Sequence, residues 1–334
     1  MLPVYFLKDS NVIADVKENA KIDIKKVVNL VPIIVIIALM IIFSFLSPAF
    51  MRLRNLVEIL QLSSIYLLIA AGVTFPILMG SIDLSITGII VGSGVIAATI
   101  APMGGLFTVF LILFIGLCLG LFNGFLVAKI KLPSFIVTLS TNFIYCGIAV
   151  ALTEGYNINI RSNFFSNISN GRMIPGIPNS IILAGIVYIV FVYLSEKTKT
   201  GRYIMAIGGK EDVAARMGIN VAKYKIIAFA LSGFLIGCGT LFLSARLGMA
   251  SAQLGSGYLF STLIAVVVGG TALSGGVGGV RRTILGVLII TILENGMTLG
   301  GIDVRIQYIA KAVILIGSVF LISIPDRSRQ DLMK

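Results

Sequence analysis

The sequence predicts an all-α polytopic membrane protein of about ten transmembrane helices, and three observations carry that prediction. Of the 334 residues, 57% are apolar and only 12% are charged, whereas a soluble domain is nearer a quarter charged. With a mean hydropathy of +1.05, a soluble chain of this composition would have too little polar surface to meet water. A soluble enzyme, a disordered chain and a small disulfide scaffold are thereby excluded. The second observation is the length of the apolar stretches, and the third is the one-sided placement of positive charge.

Ten stretches approach the roughly 20 residues that a helix needs to cross about 30 Å of hydrocarbon. They are 27–46, 57–79, 84–100, 105–127, 134–152, 179–195, 226–245, 257–273, 283–299 and 306–324. The breaks are chemically plain. Ser47-Pro48 ends the first stretch, Pro102-Met103-Gly104-Gly105 separates the third from the fourth, and Pro133 precedes the fifth. A polar run from Asn157 to Asn179 precedes the sixth, and a long basic loop precedes the seventh. The turn at 80–83 admits a re-entrant reading, so nine to eleven crossings stay open. The first stretch is too long for a signal-peptide core and no small-residue cleavage site follows it, so it reads as an uncleaved span. The chain divides into a cytoplasmic N-terminal segment 1–26, a single transmembrane domain 27–325 and a cytoplasmic tail 326–334.

Charge sets the orientation. With ten spans and the N-terminus inside, the inner segments hold 19 basic residues. Five are in the N-terminal segment, Lys129 and Lys131 follow, seven are in 196–225, then come Arg281 and Arg282, and three are in the tail. The outer segments hold six (Arg52, Arg54, Arg161, Arg172, Arg246 and Arg305), and Lys311 lies within a span. Loops with this bias stay cytoplasmic during insertion, which predicts that both termini are cytoplasmic. The net charge of +12 is then loop charge, in contact with anionic lipid, and implies no nucleic-acid partner.

The chain has no His and no Trp, and Cys118, Cys146 and Cys238 all lie in apolar stretches. No imidazole acid–base pair, no zinc site and no disulfide framework is available, so no catalytic residue and no metal site are expected. The cysteines read as small buried hydrophobes.

Residues 196–225 form the longest inner loop. Within it Glu211 and Asp212 fall in the first turn of a short predicted helix, Arg216 in its last turn and Gly218 just after it, the charge order and stop signal a helix prefers. Ala214 and Ala215 leave one face small enough for close approach. So short a helix is not stable alone and must pack on its own membrane domain or on another protein.

Thr200-Gly201-Arg202, Ala206-Ile207-Gly208-Gly209, Ala214-Ala215-Arg216 and Gly218-Ile219-Asn220 resemble the coupling segment of ribose-type permeases, the membrane subunits of ABC importers for simple sugars. Gly80-Ser81-Ile82-Asp83-Leu84-Ser85 is similar to a signature of that family. So are Asn123-Gly124 with Pro133 and Phe135, the glycine-rich stretch from Gly269 to Gly278, and Thr283, Gly286 and Asn295-Gly296 in order. The likeness runs from about 55 to 325. Two departures stand out: Leu259, Phe260 and Ser261 replace the family's usual glutamate, leucine and aspartate, and Arg282 its usual glycine.

The resemblance implies one half of a dimeric pore in a bacterial-type plasma (inner) membrane, paired with a second copy or a close relative. It implies ABC ATPase subunits on the cytoplasmic face and an extracytoplasmic substrate-binding protein that delivers a monosaccharide or similar small polar solute. The chain itself holds no GxxxxGK[ST] phosphate loop, so it is expected to be a transport subunit rather than an enzyme. It would carry no cofactor of its own, with ATP and Mg bound by the partner. Gly209, Glu211, Ala214, Ala215, Arg216 and Gly218 are then the ATPase-coupling residues.

Asp83, Ser85, Asn123, Asn142, Thr271, Ser274 and Asn295 are candidates for the translocation pathway, because sugar hydroxyls need donors and acceptors. Helix–helix hydrogen bonds need the same groups. Asp83 at a span's start suits a helix-capping role as well as a gating one. Glu294 and Lys311 each lie about five residues from the external turn at 300–305, roughly 8 Å below it at 1.5 Å per residue. An ion pair, a lysine reaching the interface and a substrate contact all fit that depth. Gly80-Ser81 and Gly255-Ser256 precede spans three and eight, and Asn123-Gly124 and Asn295-Gly296 sit late in spans four and nine, in opposite orientations. That arrangement admits a five-plus-five inverted repeat. An ion-coupled secondary transporter of a small polar solute is the alternative, and it requires ionisable residues at mid-membrane, in which this sequence is poor.

Overall fold

The computed structural model describes residues 30–331, with side chains to residue 320. The segment assigned to 1–26 and the last three tail residues lie outside the described residues. The helices in chain order are α1 (Leu30–Leu46), α2 (Leu53–Leu78), α3 (Ile86–Ile100), α4 (Leu106–Ala128), α5 (Ser134–Thr153), α6 (Asn163–Asn170) and α7 (Asn179–Lys197). They continue with α8 (Lys199–Gly209), α9 (Glu211–Arg216), α10 (Val221–Leu247), α11 (Tyr258–Val268), α12 (Val280–Leu299) and α13 (Val304–Asp331). The short strands β1 (Ile158–Asn159) and β2 (Met249–Ala250) pair antiparallel.

The protein is all-α and polytopic. Among the described residues six helices, α2, α4, α5, α7, α10 and α12, are long and apolar enough to cross a membrane by length and composition. The apolar helices α1, α3 and α11 are shorter, in keeping with the expectation that some of the ten stretches are short. Two of the shortfalls have a local cause. The stretch 84–100 becomes helical only at Ile86, because residues 79–85 run as a turn and an extended segment. The stretch 257–273 is helical only over Tyr258–Val268, because Gly269 and Gly270 break it, the latter at φ +92°, a conformation only glycine adopts freely.

The long helices α2 and α10 form the centre, and most of their residues are buried. Asn220 starts α10 by accepting the Lys223 N–H at 3.0 Å, and Gly248 at φ +67° ends it. Against α10 lies α4, whose Gly116, Gly120 and Gly124 recur every four residues and so share one face. A Cβ on Gly116 would stand 2.7 Å from the Gly233 carbonyl, and one on Gly233 would stand 2.8 Å from Gly120 Cα. The two backbones touch, the small-residue packing that membrane helices use in place of a hydrophobic drive. Gly120→Leu is expected to destabilise the protein by about 3 kcal/mol or more, the upper range for overpacking. The measurement is the unfolding midpoint in detergent; an unchanged midpoint would show that α4 and α10 can separate at no cost.

The loops sort onto two opposite ends. At one end Leu78, Gly80, Gly208, Gly209, Gly275 and Gly276 meet: Gly276 N–H donates to the Leu78 carbonyl at 2.9 Å, and a Cβ on Gly276 would lie 2.8 Å from Gly209 Cα. At the other end lie the β1–β2 pair, α6, the contact of Gly104 with Ile160, and an Arg246–Glu58 ion pair. Three glycine stretches far apart in sequence thus form one junction, where a side chain on Gly208, Gly275 or Gly276 would separate the backbones.

Candidate functional site

The N–H groups of Met79, Gly80 and Ser81 close α2 on the Pro76 and Ile77 carbonyls, and residues 82–85 then run without helical hydrogen bonds to the start of α3. Backbone polar groups inside a membrane domain cost several kcal/mol each if unpaired, and α5 supplies the partners. Ser134 Oγ accepts from Ile82 N–H at 3.2 Å, Thr138 Oγ1 from Leu84 N–H at 3.0 Å, and Asn142 Oδ1 from Gly88 N–H at 2.7 Å. The first two partnerships match in pitch: two residues of extended chain advance about 6.6 Å and four residues of helix about 6 Å. Ser134, Thr138 and Asn142, four residues apart along α5, therefore read one side of the segment. Asn142 caps the first turn of α3 from a neighbouring helix.

Asp83 does not perform that capping role. Its carboxylate is fully buried, and Oδ1 accepts the Ser85 N–H at 3.0 Å and the Ser85 hydroxyl at 2.5 Å. Oδ2 accepts the Ser232 hydroxyl of α10 at 2.9 Å. Ser85 Oγ in turn accepts from Asn123 Nδ2 at 2.8 Å, and Asn123 Oδ1 accepts from Tyr145 OH at 3.2 Å. One buried network thus ties the segment to α4, α5 and α10, and the bonds to the Asp83 carboxylate come from neutral donors. Asp83→Asn, which keeps one carbonyl acceptor, is expected to retain folding and uptake within about threefold. Asp83→Leu strands several donors at about 1–3 kcal/mol each and should lose folded protein. Folded but inactive Asp83→Asn would show that the charge itself is used.

A second polar cluster surrounds Glu294 on α12. Its carboxylate receives Tyr66 OH at 2.9 Å, Ser261 Oγ at 2.6 Å and the Lys311 ammonium at 2.6 Å. Tyr66 stacks on Tyr258 with ring centroids 4.7 Å apart. One carboxylate therefore joins α2, α11, α12 and α13. Residues 251–257, which lead into α11, reach the start of α3, where Thr87 Oγ1 donates to the Gly255 carbonyl at 3.1 Å. The two short helices α3 and α11 are thus each preceded by a non-helical segment, and the second of these segments touches the helix that follows the first.

The third region is α8–α9. Gly218 at φ +84° closes α9, with Gly218 N–H on the Ala215 carbonyl and Ile219 N–H on that of Ala214, a glycine C-cap. Ala214 is buried, whereas Ala215 and Arg216 are exposed, and Val213 and Met217 are 49% and 79% exposed. The two alanines therefore face opposite ways: one seats the helix on its own domain and the other points outward.

The pathway candidates do not share one lining. Asp83, Ser85, Asn123 and Asn142 belong to the first network. Buried Thr271 accepts from Gly279 N–H at 3.3 Å and braces the glycine turn. Ser274 is exposed at that turn. Asn295 exchanges two hydrogen bonds of 3.0 Å with Asn55 of α2. Sequence reasoning missed Ser134, Thr138, Ser232, Tyr66 and Ser261. The Ser134–Thr138–Asn142 spacing was a usable signal, but the others are single hydroxyls without a pattern.

An apolar helical bundle with non-helical segments pinned inside it and glycine junctions at one end defines a multi-pass membrane protein. Comparison with known proteins gives its family. Residues 55–322 match the family described as branched-chain amino acid transport system, permease component, and the chain belongs to that family. It is 39% identical to the ribose import permease protein RbsC of Haemophilus influenzae over 86% of this chain and 90% of that one. It is 36% identical to the protein of that name in Escherichia coli K12, over 86% and 92%. It is 31% identical to the xylose transport system permease protein XylH of H. influenzae, over 89% and 97%. No solved structure matches the chain.

Proposed function

We propose that the protein is the membrane subunit of an ATP-driven importer for a monosaccharide, with ribose and xylose as the first solutes to test. The observation that carries this reading is the 36–39% identity to ribose import permeases over 86% of the chain. The family description names amino acids, but these relatives are named for pentoses, and they favour sugar over both an amino acid and an ion-coupled mechanism. In this reading ten crossings place both termini in the cytoplasm, and α3 and α11 are paired half-helices of an inverted repeat. Two permease copies enclose the pathway, an external binding protein delivers solute, and ATPase subunits with their ATP and Mg engage α9. The outward residues Val213, Ala215, Arg216 and Met217 form the contact, and ATPase closure shifts the pore between two access states.

The test is uptake of radiolabelled ribose and xylose in cells lacking their own pentose permeases. Deleting the partner ATPase is expected to abolish uptake, and collapsing the proton gradient at constant ATP to leave it. The reverse pattern would establish an ion-coupled carrier.

A further inference from the structure

Glu211, the first residue of α9, is half-exposed and already paired within its own chain. Its two carboxylate oxygens lie 2.7 and 2.8 Å from the Lys225 ammonium, in the second turn of α10. An exposed pair of this kind contributes little stability, so a bidentate pair fixed there needs another use. Its surroundings suggest one. Glu211 and Lys225 stand on the wall of a cavity of about 560 Å³, whose other walls are Gly80 and Ser81 of the non-helical segment and Lys131 and Ser134 of the α4–α5 turn. This pocket opens to solvent, so the short helix beside it has room that close-packed neighbours would not leave. Lys225 and Ser232 are seven residues apart on α10 and hence on one face, and Ser232 holds the buried Asp83 carboxylate.

We propose that Lys225 is a positioning residue for transport. It is the strut that transfers displacement of α9 to α10, and through Ser232 to the Asp83 segment that opens α3. Glu211 then works on its own chain and not on the ATPase. The inference rests on α9 being the ATPase contact. A rigid α10 moves Ser232 with Lys225, and the Asp83 network has two hydroxyl bonds that can exchange partners as it shifts. Without the ammonium, α9 yields into the cavity and the stroke is lost.

The test uses the full-length permease with its ATPase in membranes and the permease alone in detergent. Lys225→Met should leave ATPase co-purification intact, lower ribose or xylose uptake at least tenfold, and speed amide exchange across 211–219 in the isolated permease roughly threefold or more. Lys225→Arg should restore both, and the charge swap Glu211→Lys with Lys225→Glu should recover uptake lost by either single change. Normal uptake in Lys225→Met, or a swap no better than its singles, would overturn the strut. So would unchanged exchange in the isolated permease, a readout that needs no ATPase. Failure of the wild-type permease to retain any ATPase would instead overturn the docking reading of α9, and the exchange result would still decide whether Lys225 holds that helix.

Discussion

Ala215→Glu is expected to reduce both ATPase co-purification and solute uptake at least tenfold while leaving the permease folded. Ala215 is exposed and lies on the outward side of α9, between half-exposed Val213 and the strongly exposed Met217. A carboxylate there meets water in the free permease and costs nothing. In a contact built on Val213 and Met217 it would be desolvated without a partner, a penalty of several kcal/mol, against the 1.4 kcal/mol that makes a tenfold change. Ala214→Glu makes the internal contrast. Ala214 is 3% exposed, so a charge there displaces α9 from its own domain and should appear first as faster proteolysis of the 196–225 loop. If Ala215→Glu binds its ATPase and transports normally, the ATPase contact lies elsewhere on the inner face.

Much of this fold was legible because the membrane simplifies the reading. An apolar stretch bounded by Pro133 or by Ser47-Pro48 has few options other than helix, and basic loops at alternate gaps restrict topology. The same chemistry hides what distinguishes one span from another. Nothing in the apolar content of 257–273 separates a full crossing from an eleven-residue helix with a glycine turn; that depends on where Gly269 and Gly270 meet α12, where a Cβ on Gly269 would lie 2.9 Å from the Arg282 carbonyl. Asp83 is conspicuous as the acid before a span, a position that suits a cap or a turn, and it makes the turn by accepting the Ser85 N–H. The cap of α3 comes from Asn142, 54 residues along the chain, and such a partner is set by tertiary packing alone. The short helix at 211–216 was readable to the residue because its signals are local: two acids, a basic last turn and Gly218. The hold of Glu211 on Lys225 was not, because it spans the turn between two helices.

Glu294→Ala is expected to be the most damaging single change at the end of the bundle that holds the α12–α13 turn. Lys311 is 8% exposed, so the substitution leaves its ammonium buried and unpaired and also removes the acceptor for Tyr66 and Ser261. Breaking a buried pair from one side costs about 3–5 kcal/mol, comparable to much of a domain's total stability. The arrangement of α13 sharpens the point. Among its residues with described side chains only Gln307 and Lys311 are buried, while Val304, Ile306, Tyr308, Ile309, Val313 and Ile316 are exposed. Few apolar contacts therefore hold α13 in place, and the ion pair fixes its register against α12. Removing both charges with similar volume, as in Glu294→Leu with Lys311→Met, leaves neither charge orphaned and should cost less than Glu294→Ala alone. Thermal unfolding of the three variants in detergent checks the order. A double variant no more stable than Glu294→Ala would mean that the hydroxyl donors, which lose their acceptor in both, set the cost and not the ammonium. In that case Tyr66→Phe should reproduce most of the loss, because Tyr66 and its stacked neighbour Tyr258 would be what carries α11 against α2.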